Sequence, residues 1–282
     1  MTKKLVIGFI GQGYVGKSYA DDFESRGYTV VRYAKEKPYD ENKEQIKNCD
    51  IVFIAVPTPT MPKGYDIGLI KAVLPLIGVG KIAVLKSTVP PGVTGEIQKE
   101  FPERIILNSP EFLSEATARE DVSHPFMNIV GLAGQTPAHE EAAKLVHSIL
   151  PAAPESFTVK SEEAELIKYS HNCSGYTQII FFNLMYDLTI KLGADWQKIE
   201  PALKADPLIS SRYASPVHKS GRGAGGRCFI KDFAALKKVF EEKISDDAFG
   251  LGVLAAMEEK NKSLLKQSNK DLDLLEDVYG KE

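Results

Sequence analysis

The sequence predicts an α/β chain, with a doubly wound parallel sheet over residues 1–160 and an all-helical region over residues 161–282. Three observations predict it. Short apolar runs alternate with amphipathic stretches through the first half, the pattern of strands joined by crossover helices. A glycine-rich turn follows the first apolar run and opens a helical pattern. Beyond residue 160 the pattern is mainly helical, with one stretch running to about residue 192.

Residues 5–10, 29–33, 51–56, 82–85 and 105–107 are apolar enough for buried parallel strands, with helical patterns at 15–26 and 66–77 between them. Residues 128–130 predict a further strand and 137–150 a helix, which complete the first domain. Residues 156–159 lead into the long helix, whose length suits a domain-connecting or dimer-forming element. Another helix is predicted at 194–204. Gly, Pro, Ser and Arg then accumulate between 205 and 227, the composition of an ordered loop. Helices at 231–243 and 247–275 close the chain.

A chain of 282 residues can hold one large domain or two ordinary ones, and 43% hydrophobic with 26% charged residues is ordinary for a globular protein. A net charge of −3 offers no attraction to nucleic acid or an anionic membrane. No apolar run approaches bilayer length, and Met1-Thr2-Lys3-Lys4-Leu5-Val6-Ile7-Gly8 lacks the apolar core and cleavage site of a signal peptide. Cys49, Cys173 and Cys228 are odd in number and scattered. They suggest neither disulfides nor a metal site, and the expected location is a reducing cytoplasm.

Gly11-Gln12-Gly13-Tyr14-Val15-Gly16 joins the first strand to the first helix. The first glycine permits a tight turn, the second lets backbone approach a pyrophosphate, and the third allows close helix–strand packing. The helix N-terminus supplies N–H groups and positive dipole to the phosphates. The first domain therefore reads as a Rossmann dinucleotide-binding unit. At the end of the second strand Ala34 stands where an acid usually bonds the adenosine ribose, among Arg32, Lys35 and Lys37. Two readings stay open: NADP, with these cations drawing its 2′-phosphate, or NAD beside a solvated basic edge.

Gly221-Arg222-Gly223-Ala224-Gly225-Gly226-Arg227-Cys228-Phe229-Ile230-Lys231-Asp232 is the most unusual stretch. Glycines before a cysteine let backbone pass close to a substrate, and Arg227 and Lys231 favour a thiolate at Cys228. On the long helix Lys168 and Asn172 share one face, where a lysine can donate a proton or stabilise an oxyanion.

Together these segments resemble the nucleotide-sugar 6-dehydrogenases, the UDP-glucose and GDP-mannose dehydrogenase family. The matching pieces keep the family's order: Gly11 to Gly16; Val56-Pro57-Thr58-Pro59; Ser87-Thr88-Val89-Pro90-Pro91-Gly92; Ser109-Pro110-Glu111-Phe112-Leu113; Ala164-Glu165-Leu166-Ile167-Lys168-Tyr169 with Asn172; and Gly225-Gly226-Arg227-Cys228 with Lys231-Asp232. The resemblance implies oxidation of a sugar primary alcohol to a carboxylate with two dinucleotides, through a thiohemiacetal and then a thioester on Cys228. It implies that Glu111, Thr88 and Asp232 organise water while Lys168 and Asn172 hold the oxyanion. Cofactor contacts fall by the same resemblance on Gly11, Gly13, Tyr14, Val15, Gly16, Lys35, Thr58, Thr88, Glu115 and Lys231. Contacts to the nucleotide-sugar substrate fall on Glu111, Phe112, Leu113, Lys168, Asn172, Arg212 and Gly225. A homodimer is also implied.

The sequence departs from the family in two places. The chain stops at Glu282, after a helix resembling the one that precedes the family's last domain, and so reads as a short form without that domain. In the glycine stretch Arg222, Ala224, Arg227 and Ile230 replace other residue types, and the two arginines read either as substitute phosphate contacts or as a solvated rim. The family's substrate arginine falls at Arg212 counting back from Cys228, whereas counting forward from Asp206 puts Leu208 there. Two rival functions stay open: a β-hydroxyacid-type dehydrogenase of a smaller hydroxyl substrate, and a non-catalytic cofactor-binding partner of a full-length enzyme.

Overall fold

The computed structural model describes residues 4–281, so the first three residues of the opening segment lie outside the described residues. Two compact units form: the chain up to Thr58 with Asp66–Lys168, and Pro59–Tyr65 with the chain from Tyr169 onward.

The first unit opens with β1 (Val6–Ile10), α1 (Tyr14–Ser25), β2 (Thr29–Tyr33), a 3-10 stretch at Asp40–Asn48 and β3 (Ile51–Ile54). The chain then gives a short hairpin, β4 (Thr60–Met61) and β5 (Gly64–Tyr65), to the second unit. It returns with α2 (Gly68–Val73), β6 (Ile82–Leu85), α3 (Val93–Glu100), β7 (Ile105–Asn108), α4 (Ala118–Ser123), β8 (Met127–Leu132), α5 (Pro137–Ile149) and β9 (Glu155–Lys160). The expected helix at 66–77 is shorter because Pro75 lacks an amide to continue the α-helical ladder, and a 3-10 turn, Leu74–Leu76, follows α2.

Seven strands form one sheet in the order β2-β1-β3-β6-β7-β8-β9. The expectation of a wholly parallel sheet is corrected at one junction, where β7 and β8 run antiparallel through Leu107↔Leu132 and Asn108↔Gly131. After β7 the chain packs α4 on α1 instead of crossing back along the sheet, so β8 enters from the opposite end. The core beneath is aromatic. Phe9 stacks on Phe53 at 5.1 Å, and Phe23 meets both rings edge-on at 5.3 and 5.4 Å.

The long helix α6 (Ser161–Lys191) starts in the first unit and continues in the second. The second unit adds α7 (Trp196–Ala205), β10 (Val217–His218), β11 (Gly221–Arg222), α8 (Gly226–Lys243), α9 (Ala248–Gln267) and α10 (Leu272–Tyr279). The region is largely helical; the hairpins β4–β5 and β10–β11 correct the all-helical expectation. One helix expected at 247–275 is two, because Asn269 and Asp271 adopt left-handed φ values of 52° that end α9 and start α10. The core of this unit stacks Tyr176 of α6 on Phe233 of α8 at 3.9 Å.

Candidate active site

In the first unit the glycine turn is built for close approach. Gly11 has φ +90°, and a Cβ there would lie 2.3 Å from the Ala55 carbonyl oxygen. A Cβ on Gly16 would lie 2.0 Å from the Gly11 carbonyl oxygen, so α1 packs on the strand only without one. Gly13 differs: a Cβ would meet nothing within 4 Å. Gly13 is the N-cap of α1 and no side chain caps that helix. Beside it, the Gln12 Oε1 is buried without a hydrogen-bond partner. Open space and uncapped helix amides fit the pyrophosphate of a dinucleotide. Tyr14 and Val15 form the first turn of α1.

At the end of β2, Ala34 is buried and Lys35 is exposed. Arg32 is committed elsewhere. Its guanidinium lies 2.7 Å from Asp21 and bonds Glu24 at 2.7 and 2.9 Å, both on α1. Of the three cations around the ribose position, Arg32 therefore already has two carboxylates.

Thr58 donates to the Thr88 carbonyl at 2.7 Å, tying together the loops after β3 and β6. Glu111 and Lys168 are both buried. The Lys168 ammonium donates to the Glu111 carbonyl at 2.6 Å and to its carboxylate at 3.2 Å, and it lies 5.3 Å from the centre of the Phe112 ring. The other Glu111 oxygen accepts the Leu113 amide at 2.6 Å. Glu165, the helical neighbour of Lys168, points away to cap α3, accepting the Gly92 and Thr94 amides at 2.6 and 2.8 Å. Burial pushes its carboxyl up to about 7, against the lowering effect of those donors. Glu115 is exposed.

In the second unit Asn172, one turn beyond Lys168 on α6, donates to Asp232 at 2.7 Å. Lys231 bonds the other Asp232 oxygen at 2.5 Å, and its carbonyl accepts the Thr60 hydroxyl. Asp232 is 1% exposed and lies four residues after Cys228 on one face of α8. The sequence places Cys228 in a loop before a helix at 231. The structure starts α8 at Gly226, so the half-buried Cys228 stands in its first turn. The entry depends on Gly226, whose φ of +81° suits only glycine. Cys173 is a poor rival, since burial pushes its thiol up to about 12. Arg212 and Leu208 are both exposed.

The preceding glycines have a packing reason that periodicity does not reveal. A Cβ on Gly221 would lie 2.6 Å from Ser268, one on Gly223 3.0 Å from Asn261, and one on Gly225 2.0 Å from Asp271. The side chains of 261–271 hold this stretch by its backbone. Asn261 accepts the Ala224 amide at 2.7 Å and donates to its carbonyl at 3.0 Å, while Lys270 donates to the Gly223 carbonyl at 2.9 Å. Asp271 accepts the Gly226 amide at 2.7 Å. Arg222 is neither rim nor spare phosphate contact: it bonds Asn183 at 2.8 Å and Asp187 at 2.6 Å on α6. Arg227 is exposed. Nothing in the sequence pattern points to Asn261, Lys270 or Asp271 in this role.

A dinucleotide turn on a doubly wound sheet, followed by a largely helical unit with a thiol at a helix start, defines a Rossmann-type dinucleotide-binding chain. The chain belongs to the UDP-glucose/GDP-mannose dehydrogenase family: residues 35–150 match its NAD binding domain and residues 162–263 its central domain. A UDP-glucose 6-dehydrogenase of Rickettsia bellii is 29% identical over 247 residues, 84% of this chain and 55% of that protein. The chain spans about half the length of the curated relatives it matches. Among solved structures, a UDP-glucose dehydrogenase from the archaeon Pyrobaculum islandicum is similar at a TM-score of 0.80 and 25% identity, over 99% of this chain and 73% of that one. A 3-hydroxyisobutyrate dehydrogenase of Mycobacterium tuberculosis shares the fold at a TM-score of 0.71 and 14% identity, over 98% of both chains.

Proposed function

We propose that the chain carries out the four-electron oxidation of a nucleotide sugar's primary alcohol to the uronic acid, with Cys228 as covalent nucleophile. The observation that carries this reading is Cys228 in the first turn of α8, one turn ahead of the buried Asp232 that Asn172 holds. A helix N-terminus favours thiolate over thiol. Bound NAD supplies the hydride acceptor, one molecule for each of two oxidations.

On the protein side, the alcohol's hydroxyl proton passes to water organised by Thr88, Glu111 and Asp232 as the first hydride leaves. The Cys228 thiolate then adds to the aldehyde carbon, and Lys168 and Asn172 stabilise the charge on oxygen. Loss of the second hydride leaves a thioester. Water attacks its carbonyl, the C–S bond breaks, and the carboxylate and the thiolate are released. The covalent bond keeps the aldehyde in place between oxidations. Glu115, Lys231, Tyr14, Val15, Lys35 and Thr58 complete the cofactor contacts in this reading, and Phe112, Leu113, Arg212 and Gly225 those to substrate.

NADP is the second cofactor to test, with Lys35 and Lys37 as the cations outside the Arg32 pairs. The exposed apolar side chains of α6, Phe181, Leu184 and Leu188, form the face through which two copies associate in this reading. Light scattering checks it: a monomer mass at micromolar concentration refutes the dimer. Among the described residues no helix is long and apolar enough to cross a membrane. The proposed location is the cytoplasm.

The deciding experiment incubates UDP- and GDP-sugars with NAD or NADP and counts reduced dinucleotide per substrate. Two support the reading, provided Cys228→Ala forms no carboxylate. One per substrate moves the chain to the hydroxyacid-type reading. Cofactor binding without any turnover leaves the binding-partner role.

A further inference from the structure

Glu165, in the helix motif that carries Lys168, has no part in the chemistry above. It is 1% exposed and sits one turn before Lys168 on α6. Its two oxygens accept the Gly92 amide at 2.6 Å and the Thr94 amide at 2.8 Å. The Thr94 hydroxyl donates to it as well, and accepts in turn from the Asn108 carboxamide at 3.4 Å. Thr94 and Asn108 are both buried. Asn108 ends β7, three residues before Glu111.

The N-cap of α3, Gly92, has φ +95° and no side chain, so the amides at that helix start need an acceptor from elsewhere. It comes from α6, 73 and 71 residues along the chain. Thr88 lies four residues before Gly92, with Pro90 and Pro91 between them. Each proline fixes its own φ, and the Val93 amide closes a turn on the Pro90 carbonyl at 3.2 Å. A loop this stiff carries Thr88 with Gly92. One carboxylate thus joins the loop of Thr88, the strand that leads to Glu111 and the helix turn of Lys168.

We propose that Glu165 is a positioning residue, a buried clamp that holds the Thr88 loop and the start of α3 against the turn of α6 bearing Lys168. Thr88 and the Lys168–Glu111 pair are thereby kept in fixed register. The inference deepens the oxidation reading, and its catalytic consequence rests on that reading.

Glu165→Gln tests the clamp, because it keeps the size and one acceptor but sets its NH2 against a backbone N–H. Ile97→Val is the control for lost stability: it removes a buried methyl from the same α3 and leaves the clamp intact. Kinetics are compared at about pH 8.5, above the value near 7 to which burial raises the Glu165 carboxyl, and at a temperature where circular dichroism shows every variant folded. Glu165→Gln should lower kcat about tenfold to a hundredfold and leave the sugar KM within about threefold, since a misplaced group costs the chemical step more than binding. Ile97→Val should keep the wild-type kcat. A wild-type kcat in Glu165→Gln, or an equal loss in Ile97→Val, overturns the positioning role.

Two readouts need no turnover. The Thr88 methyl NMR signal should shift in Glu165→Gln and stay in place in Ile97→Val; a signal unmoved by Glu165→Gln refutes the clamp. If Glu165→Gln does not fold, hydrogen exchange of the wild type decides. The Gly92 and Thr94 amides should be protected on the order of a hundredfold or more over an unfolded chain, and free exchange at either overturns the proposal. If no nucleotide sugar is turned over, the oxidation reading fails, whereas the methyl and exchange results still decide whether Glu165 holds the Thr88 loop.

Discussion

Replacing Asn261 by Ala should destabilise the second unit severely, and the size follows from what Asn261 holds. Asn261 is 2% exposed and Ala224 is fully buried. The carboxamide accepts the Ala224 amide at 2.7 Å and donates to the Ala224 carbonyl at 3.0 Å. Truncation strands a buried donor and a buried acceptor, each costing about 1–3 kcal/mol. It also leaves a small cavity, since the side chain is buried. Partial relaxation and entry of a water offset some of this, which leaves a loss of about 3–5 kcal/mol. Such a loss is a large share of the 5–15 kcal/mol typical of a native domain, and for a unit of this size it lowers Tm by roughly 10 °C or more. Thermal unfolding measures the loss, and hydrogen exchange at Ala224 locates it. Asn261→Asp sharpens the test, since its carboxylate can serve the amide but repels the carbonyl, so it should be less stable at alkaline than at mildly acidic pH. A loss below about 1 kcal/mol with Ala224 still protected from exchange would show that Asn261 does not hold the stretch.

Two glycines should respond in opposite ways to alanine. Gly225→Ala drives a Cβ to 2.0 Å from Asp271 and should cost about 2 kcal/mol or more in thermal unfolding. Gly13→Ala meets no protein atom, so it should leave Tm unchanged and weaken NAD binding about tenfold or more by calorimetry. If Gly13→Ala binds NAD as wild type does, the cofactor turn is misassigned. Lys168→Met leaves the buried Glu111 carboxylate without its cation and should cost about 3–5 kcal/mol in denaturant unfolding. The double variant Lys168→Met with Glu111→Gln should recover most of that loss without recovering turnover, and its failure to recover stability would mean that the pair is not coupled.

Features encoded by neighbours in the chain were legible in the sequence. Strands at Thr29–Tyr33 and Ile82–Leu85 fall where the apolar runs predict them, and α6 ends within a residue or so of its expected limit. The dinucleotide turn is equally local, because it needs only a strand, three spaced glycines and a helix start. The short α3 and α4 were not visible, since eight and six residues are too few to establish a period.

The sequence by itself determined that a dinucleotide turn, a thiol after a glycine stretch and a lysine–asparagine pair on one helix occur in one chain. Only the tertiary structure decided what those features lean on. It turned β8 antiparallel to β7 because α4 packs on α1, and it started α8 early enough to put Cys228 in a helical turn. It also gave Gly221, Gly223 and Gly225 neighbours forty or so residues away, from Asn261 to Asp271. Whether a lysine is solvated or buried is the plainest case. Lys86 and Lys168 look alike in sequence, yet one is set among hydroxyls and the other on a carboxylate. Local order follows from the periodicity and capping of adjacent residues, whereas desolvation and hydrogen-bond partners depend on groups far apart in sequence.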